Sequence, residues 1–291
     1  MAKMGGLLKR SMLYQLGGPN DPSLGTIIEQ VQLAEEVGLD TVWVLPALDE
    51  AERFEEGAPE LWLAALADRT RRIRLGWGRA GLMHPERAPL RVAEQAGSLD
   101  VLSGGRLDLV LLPGPAVRRE HGTHEAGEGE ADWKEGYRML AGMWTSPIFA
   151  WRSPRFELAP VEVVPKPVQQ PHPPLWLAGW SEAHAQSAGR GGLGYLDVSG
   201  GADDQLERAL FAYRAGRAEA EPEDLVSVEA FGVLADLMPG QESVDRLAGW
   251  EALGVDQAVA RFDPAVARPG ELDGLIRFLA PVGGGQADIR R

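Results

Sequence analysis

From Ser11 to Leu279, short apolar runs alternate with amphipathic stretches of helical period, and this alternation is the strongest constraint on the fold. The strand candidates are SMLYQL from Ser11, TVWVL from Thr41, the run Ile73 to Ala80, LDLVLL from Leu107, LWLAG from Leu175, GYLDVSG from Gly194, VSVEAFGVLA from Val226 and DQAVARF from Asp256. Between them lie helical patterns. In the first, Ile27, Val31, Leu33 and Ala34 share a face and Gly38 stops the helix; in the second, Pro59 opens a helix whose apolar side carries Leu61, Leu63, Ala65 and Leu66. Gly38-Leu39-Asp40 and Gly254-Val255-Asp256 each close a helix and start a strand, the turn chemistry of a helix-to-strand connection. Eight strands and eight helices in alternation predict a (β/α)8 TIM barrel of α/β class, one domain over residues 1–291. A doubly wound open sheet also alternates, but no G-x-G-x-x-G opens the first helix.

Two stretches interrupt the pattern. GPAVRREHGTHEAGEGEA, after the fourth strand, is Gly-rich and charged and reads as a long loop. Ser146 to Pro174, which includes PKPVQQPHPP, is too dense in proline for a regular helix and reads as an insertion after helix four with one hairpin.

Asp and Glu total 43 against 29 Lys and Arg, a formal net charge of -14, which repels nucleic-acid phosphates and anionic lipid and argues against those partners. There is no cysteine, so disulfides, thiolate metal sites and a cysteine nucleophile are excluded, as suits a reducing cytoplasm. No run approaches the roughly 18 apolar residues of a membrane span.

In such a barrel the chemistry lies at the C-terminal strand ends. LWLAGWSEAHA places Gly179, Trp180 and Ser181 where a buried strand meets a helix N-terminus, with Ser181 as N-cap. Free backbone N–H groups and the positive helix end there suit a phosphate. The plainer alternative is a cap that contributes about 1 kcal/mol to the helix. After the third strand, RAGLMHPER offers His84 as a proton donor or acceptor and, just before it, Arg79 as an anion clamp. His121 and His124 sit in the charged loop without a helix to hold them as metal ligands, so no metal is expected. Asp49 and Glu52 form an acidic pair after strand two with no distinguishing spacing. Trp43, Trp77, Trp176 and Trp180, on or at the ends of strands, are either core or platforms for a planar ring.

Several segments in order then resemble one family, the luciferase-like flavin-dependent monooxygenases: AEEVGLDTVWV (Ala34 to Val44), APELWLAALADRTRRIRLG (Ala58 to Gly76), APLRVAEQAGSLDVLSGGRLDL (Ala88 to Leu109), PKPVQQPHPPLWLAGWS (Pro165 to Ser181) and, more weakly, GWEALGVDQAVARFD (Gly249 to Asp263). The resemblance implies a (β/α)8 barrel, often a homodimer. It also implies reduced FMN or a deazaflavin as cofactor, molecular oxygen and a small organic molecule as substrates, and a flavin reductase as partner. Ser181 resembles the serine that the family places near the flavin phosphate, and Glu120 and Gly122 loosely match the loop after strand four. Elsewhere the chain departs from the pattern. Pro46, Ala47 and Leu48 stand where an acid and histidines are common, and Pro113-Gly114-Pro115 stands where an arginine commonly meets the phosphate. His84, Arg79, Arg118 and Arg119 are the candidate substitutes. A catalytically degenerate barrel serving as the partner subunit of an active homologue is the alternative these departures motivate.

Overall fold

The computed structural model describes residues 7–15, 22–45, 58–80, 89–112, 129–154, 156–201, 203–221, 227–262 and 271–281; the side chains of 79, 80, 129–132, 203 and 262 are not described. Its strands are β1 (Lys9–Gln15), β2 (Thr41–Leu45), β3 (Arg74–Ala80), β4 (Leu107–Leu112), β5 (Phe149–Arg152), β6 (Glu157–Val161), β7 (Leu175–Gly179), β8 (Gly194–Asp197), β9 (Phe231–Ala235) and β10 (Gln257–Phe262). The helices are α1 (Leu24–Glu36), α2 (Pro59–Arg69), α3 (Pro89–Ser103), α4 (Gly129–Thr145), α5 (Glu182–Arg190), α6 (Asp203–Glu219), α7 (Gln241–Leu253) and α8 (Glu271–Phe278). Eight strands close a barrel in the order β1-β10-β9-β8-β7-β4-β3-β2, every pairing parallel, while β5 and β6 form a separate antiparallel hairpin. The alternation therefore yields the expected (β/α)8 barrel, and the hairpin lies inside the Pro-rich insertion.

Side-chain parity divides the core in two. One set, including Met12, Tyr14, Val42, Val44, Leu75, Trp77, Leu109 and Leu111, packs outward against the helices. The other fills the lumen: Leu13, Trp43, Leu45, Val110, Leu112, Trp176, Ala178, Leu196, Leu234 and Val259. Two indoles fit inside so small a barrel because neighbouring strands carry glycine opposite them. A Cβ on Gly76 would lie 2.1 Å from Trp43 Cε3, one on Gly78 2.3 Å from Leu45 Cδ2, and one on Gly194 2.6 Å from Trp176 Cδ2. The two tryptophans meet edge to face with centroids 5.5 Å apart.

Below them, at the N-terminal strand ends, the lumen turns polar. Arg74 Nε donates to Asp108 Oδ2 at 2.6 Å, and Trp176 Nε1 donates to Asp108 Oδ1 at 3.4 Å. Gln257 Nε2 donates to Ser11 Oγ at 2.6 Å and to Thr41 Oγ1 at 3.2 Å. These bonds compensate the desolvation of groups that water does not reach, and they plug the lower end.

The insertion is tied down by two side chains. Asp100, fully buried on α3, accepts from Val168 N at 2.7 Å, Gln169 N at 3.0 Å and Gln169 Nε2 at 2.7 Å. Lys166 Nζ donates to the Met143 and Ser146 carbonyls at 2.6 and 2.7 Å, satisfying the C-terminal end of α4.

Three expectations change. Leu61, placed on the apolar side of α2, is 69% exposed, whereas Leu63 and Leu66 of the same helix are buried. The seventh barrel strand starts at Phe231 instead of Val226, because Ser227 is held to the start of β7, accepting from Leu175 N at 3.0 Å. The sixth ends at Asp197, whose Oδ1 accepts from Ser199 N at 3.0 Å and turns the chain.

Candidate active site at the barrel mouth

Everything that reaches the upper lumen stands on the Trp43–Trp176 floor. On the β2–β4 side the wall is apolar, with Leu45 and Leu112 the last described side chains before the loops. Across the opening the chemistry differs. Arg261 follows Val259 with lumen-facing parity, and Asp236 lies just beyond the end of β9, two residues after Leu234. They join in a two-pronged ion pair: Arg261 Nε to Asp236 Oδ1 at 2.8 Å and a terminal guanidinium nitrogen to Oδ2 at 3.0 Å. The Arg261 hydrogen bond holds the Asp236 carboxyl below its usual range, against a burial that opposes it. Arg246 steadies this rim by donating to the Gly200 carbonyl at 2.9 Å and, more weakly, to the Asp236 carbonyl at 3.4 Å.

The third sector is the junction of β7 and α5. Gly179 ends the strand, and only glycine fits, because a Cβ would lie 2.6 Å from His184 Cβ. Ser181 is the N-cap: its Oγ accepts from His184 N at 3.3 Å and lies 2.9 Å from His184 Nδ1. The loop is braced by Tyr195 Oη donating to the Ser181 carbonyl at 3.3 Å and Gln205 Nε2 donating to the Trp180 carbonyl at 3.1 Å. Trp180 is 51% exposed at the rim, edge to face with His184 at 5.0 Å between centroids. In the first turn of α5, the N–H groups of Glu182 and Ala183 have no carbonyl within the helix to bond, which is the general property of a helix start that suits an anion.

Beside this junction Asp197 closes β8. It is fully buried, its Oδ1 accepts from Ser199 Oγ at 2.5 Å, and its Oδ2 has no partner among the described residues. Burial pushes this carboxyl up, opposed by the bonds from Ser199, and burial followed by the Asp197 charge pushes the Tyr195 phenol up. Burial thus disfavours the charged form of each group.

Gly179, Trp180 and Ser181 thus come together at one rim of the mouth, and Ser181 is the cap that the plainer reading expected. Trp43 and Trp176 form the lumen floor, Trp77 is core against the helices, and Trp180 alone of the four is exposed. Arg79 belongs to β3 by its backbone, and its side chain is outside the described set. His84, Pro46 to Leu48, Asp49, Glu52, Pro113 to Pro115, Arg118, Arg119, Glu120, His121, Gly122 and His124 lie outside the described residues. Among the described residues no three His, Cys, Asp or Glu side chains gather as a metal site, and no helix is long and apolar enough to cross a membrane.

The sequence reading assigned no role to His184, Tyr195, Asp197, Asp236 or Arg261. Two had a usable signal: Arg261 falls two residues after Val259 in DQAVARF, hence on the lumen parity, and His184 is three residues after the cap, hence over it. Asp197, Tyr195 and Asp236 had none, since only strand order makes β8 the neighbour of β7 and β9 the neighbour of β10.

The family model described as luciferase-like monooxygenase matches residues 9–237. An F420-dependent glucose-6-phosphate dehydrogenase of Amycolatopsis mediterranei is 30% identical over 220 residues, 70% of this chain and 61% of that protein. A luciferase-like monooxygenase of Escherichia coli K12 is 31% identical over 192 residues, 65% of this chain and 53% of its relative. The oxygenase component of the flavin-dependent trigonelline monooxygenase of Acinetobacter baylyi is 29% identical over 163 residues, 52% of this chain and 42% of that protein. The matches thus span roughly two-fifths to three-fifths of these relatives. Among solved structures, the oxygenating constituent of 3,6-diketocamphane monooxygenase from Pseudomonas putida, in complex with FMN, superposes with TM-score 0.74 at 16% identity, covering 94% of this chain and 97% of that one. An F420-dependent secondary alcohol dehydrogenase with an F420–acetone adduct superposes with TM-score 0.75 at 14% identity, covering 96% and 99%. At such identities the superpositions speak for the fold, and the sequence match speaks for descent: the chain belongs to the luciferase-like monooxygenase family.

Proposed function

We propose that this protein is an oxidoreductase that binds reduced FMN, or a deazaflavin, at the barrel mouth and oxidises a small organic molecule with molecular oxygen. The observation that carries this reading is the shape of the mouth. An apolar upper lumen, closed below by two indoles, opens beside the N-terminus of α5. The residues fit such a cofactor: Leu45 and Leu112 make that end of the lumen apolar, as a ring system requires, and Ser181 with the Glu182 and Ala183 amides offers donors for a phosphate. Gly179 makes room for His184 beside the cap, and Trp180 stands at the same rim. When bound, the reduced ring supplies the electrons; this chain supplies a dry, bounded chamber and a fixed anion site. His84 is the proposed acid or base, and Arg79 a further phosphate contact, both from their place at and after the end of the third strand, as substitutes where the chain departs from the family pattern.

The names of the relatives divide between flavin and F420, which is why both cofactors stand in the proposal. The oxygenase component among them supports a separate flavin reductase as electron donor. A homodimer and a single domain complete the reading; the latter is supported by β1 pairing with β10, which draws both ends of the chain into one barrel. The second reading, a barrel that binds flavin without turnover, is favoured by Pro46, Ala47 and Leu48 at a strand end where relatives commonly carry ionisable groups.

A visible titration with FMN and with a deazaflavin tests the site, followed by oxygen consumption with reduced cofactor. Binding of either, with oxygen uptake that rises on adding an organic substrate, is the expected result. No binding at tens of micromolar, roughly the weak end for a resident cofactor, removes the proposal; binding without substrate-linked uptake leaves the second reading in its place.

A further inference from the structure

A second cavity, of about 290 Å³, lies outside the barrel between α4 and the end of α5. Ser227, at its base, bonds the first residue of β7, and Leu193 directly precedes β8, so the cavity sits at the N-terminal strand ends, opposite the mouth. Among the described residues its lining carries three cations, Lys134, Arg138 and Arg190, and no acid, in a chain of net charge -14. Arg190 is paired with Glu219 at 2.6 Å. Arg138 is exposed and has no acidic partner among the described residues. Trp133, Leu193 and Ala141 supply an apolar wall. His172 adds no charge: its Nδ1 donates to the Pro173 carbonyl at 2.8 Å, and burial pushes the imidazole down, towards the neutral form.

Lys134 Nζ lies over the Trp133 ring, 5.4 Å from its centroid, so cation and aromatic face share one side of the cleft. A cleft that combines cations with apolar lining concentrates anions that also carry an apolar body. Its volume falls at the lower edge of the roughly 300–1,000 Å³ usual for small-molecule sites, which restricts the occupant to about one ring. We propose that the α4–α5 cleft is a binding site, separate from the mouth, for a single-ring organic anion, its ring in the apolar part of the cleft beside Ala141 and its carboxylate or phosphate monoester on Arg138. Lys134 and Arg190 shape the surrounding potential.

Calorimetric titration of the full chain with benzoate, phenyl phosphate, benzamide and inorganic phosphate tests this. Saturable one-to-one binding of benzoate or phenyl phosphate is expected, whichever is tighter naming the head group, with benzamide and inorganic phosphate each weaker by about tenfold or more. Arg138→Glu, on the exposed surface, is expected to weaken the better probe by about tenfold, and Ala141→Trp to abolish its binding by filling the cleft. FMN affinity, read in the same samples, stays unchanged. No saturation by either aromatic anion up to roughly 10 mM, equal binding of benzamide, equal binding of inorganic phosphate, or full affinity in Arg138→Glu would overturn the proposal. If Ala141→Trp fails to fold, Arg138→Glu and the benzamide comparison decide it.

Discussion

Gly76→Ala is the sharpest test of how the lumen is filled. The new Cβ would lie 2.1 Å from Trp43 Cε3 and 2.4 Å from Cδ2, whereas carbon atoms pack at about 3.5–4.0 Å. Some 1.5 Å of movement is therefore demanded of an indole that is fully buried and wedged edge to face against Trp176. Alanine itself suits a strand at least as well as glycine, so the backbone contributes no penalty. Overpacking of this kind costs about 1–3 kcal/mol, and a clash with a ring that has nowhere to go belongs at the upper end, about 3 kcal/mol. In thermal unfolding that is a fall of roughly 6 °C or more. The double variant with Trp43→Leu removes the obstructing ring, so the two changes together should destabilise by about 2 kcal/mol less than the sum of the singles. Urea unfolding of the four proteins measures this. A Gly76→Ala protein within about 0.5 kcal/mol of the parent, or singles that simply add, would refute the claim that glycine makes room for Trp43.

Three further outcomes follow from the same structure. Ser181→Ala should lower stability by about 1 kcal/mol through loss of the cap and weaken FMN binding several-fold; melting and flavin titration separate the two, and unchanged affinity would put the phosphate elsewhere. Asp108→Ala should cost about 1–3 kcal/mol, read by urea unfolding: it removes the buried acceptor of Arg74 Nε and Trp176 Nε1, while the part-exposed guanidinium keeps the Leu107 carbonyl and Gln169 Oε1. Glu35 accepts from the backbone N–H groups of Arg71, Arg72 and Ile73; burial opposes the charge, but those bonds and Arg72 outweigh it and hold the carboxyl below its ordinary range. A depressed folded-state value means that this stabilisation is present above the ordinary carboxylate range and is lost as pH falls through the folded value. Glu35→Gln should therefore be less stable than the parent at neutral pH and equal to it in strong acid; a gap that does not depend on pH would contradict this.

The mouth joins two unlike neighbourhoods. Asp236 and Arg261 are a charged pair on the polar side, and Asp197 and Tyr195 are buried behind the α5 junction, where desolvation pushes both groups up. Asp197 keeps one carboxyl oxygen with no partner among the described residues, at zero exposure, a cost that proteins usually avoid. It is tolerated because Ser199 satisfies the other oxygen and turns the chain out of β8 towards the rim.

The alternation of apolar runs and amphipathic stretches, with no G-x-G-x-x-G at the first helix, was enough to point to the barrel, because period and order are local properties that strand and helix sterics impose on any chain. The N-cap at Ser181 and the helix stops at Gly38 and Gly254 were legible for the same reason, and the latter two take the positive φ values that glycine permits. The GWG run of Gly76 to Gly78 carried no readable meaning alone; its sense depends on Trp43 and Leu45, one strand away, needing the space. Nor could local pattern distinguish the four tryptophans, since facing the lumen, the helices or the rim is a matter of strand parity within a closed sheet. The pairing of Asp236 with Arg261, and the meeting of Tyr195, Asp197 and Ser181, were decided only when closure brought β7, β8, β9 and β10 side by side. Contacts between residues far apart in sequence depend on that closure, and no spacing along the chain records it.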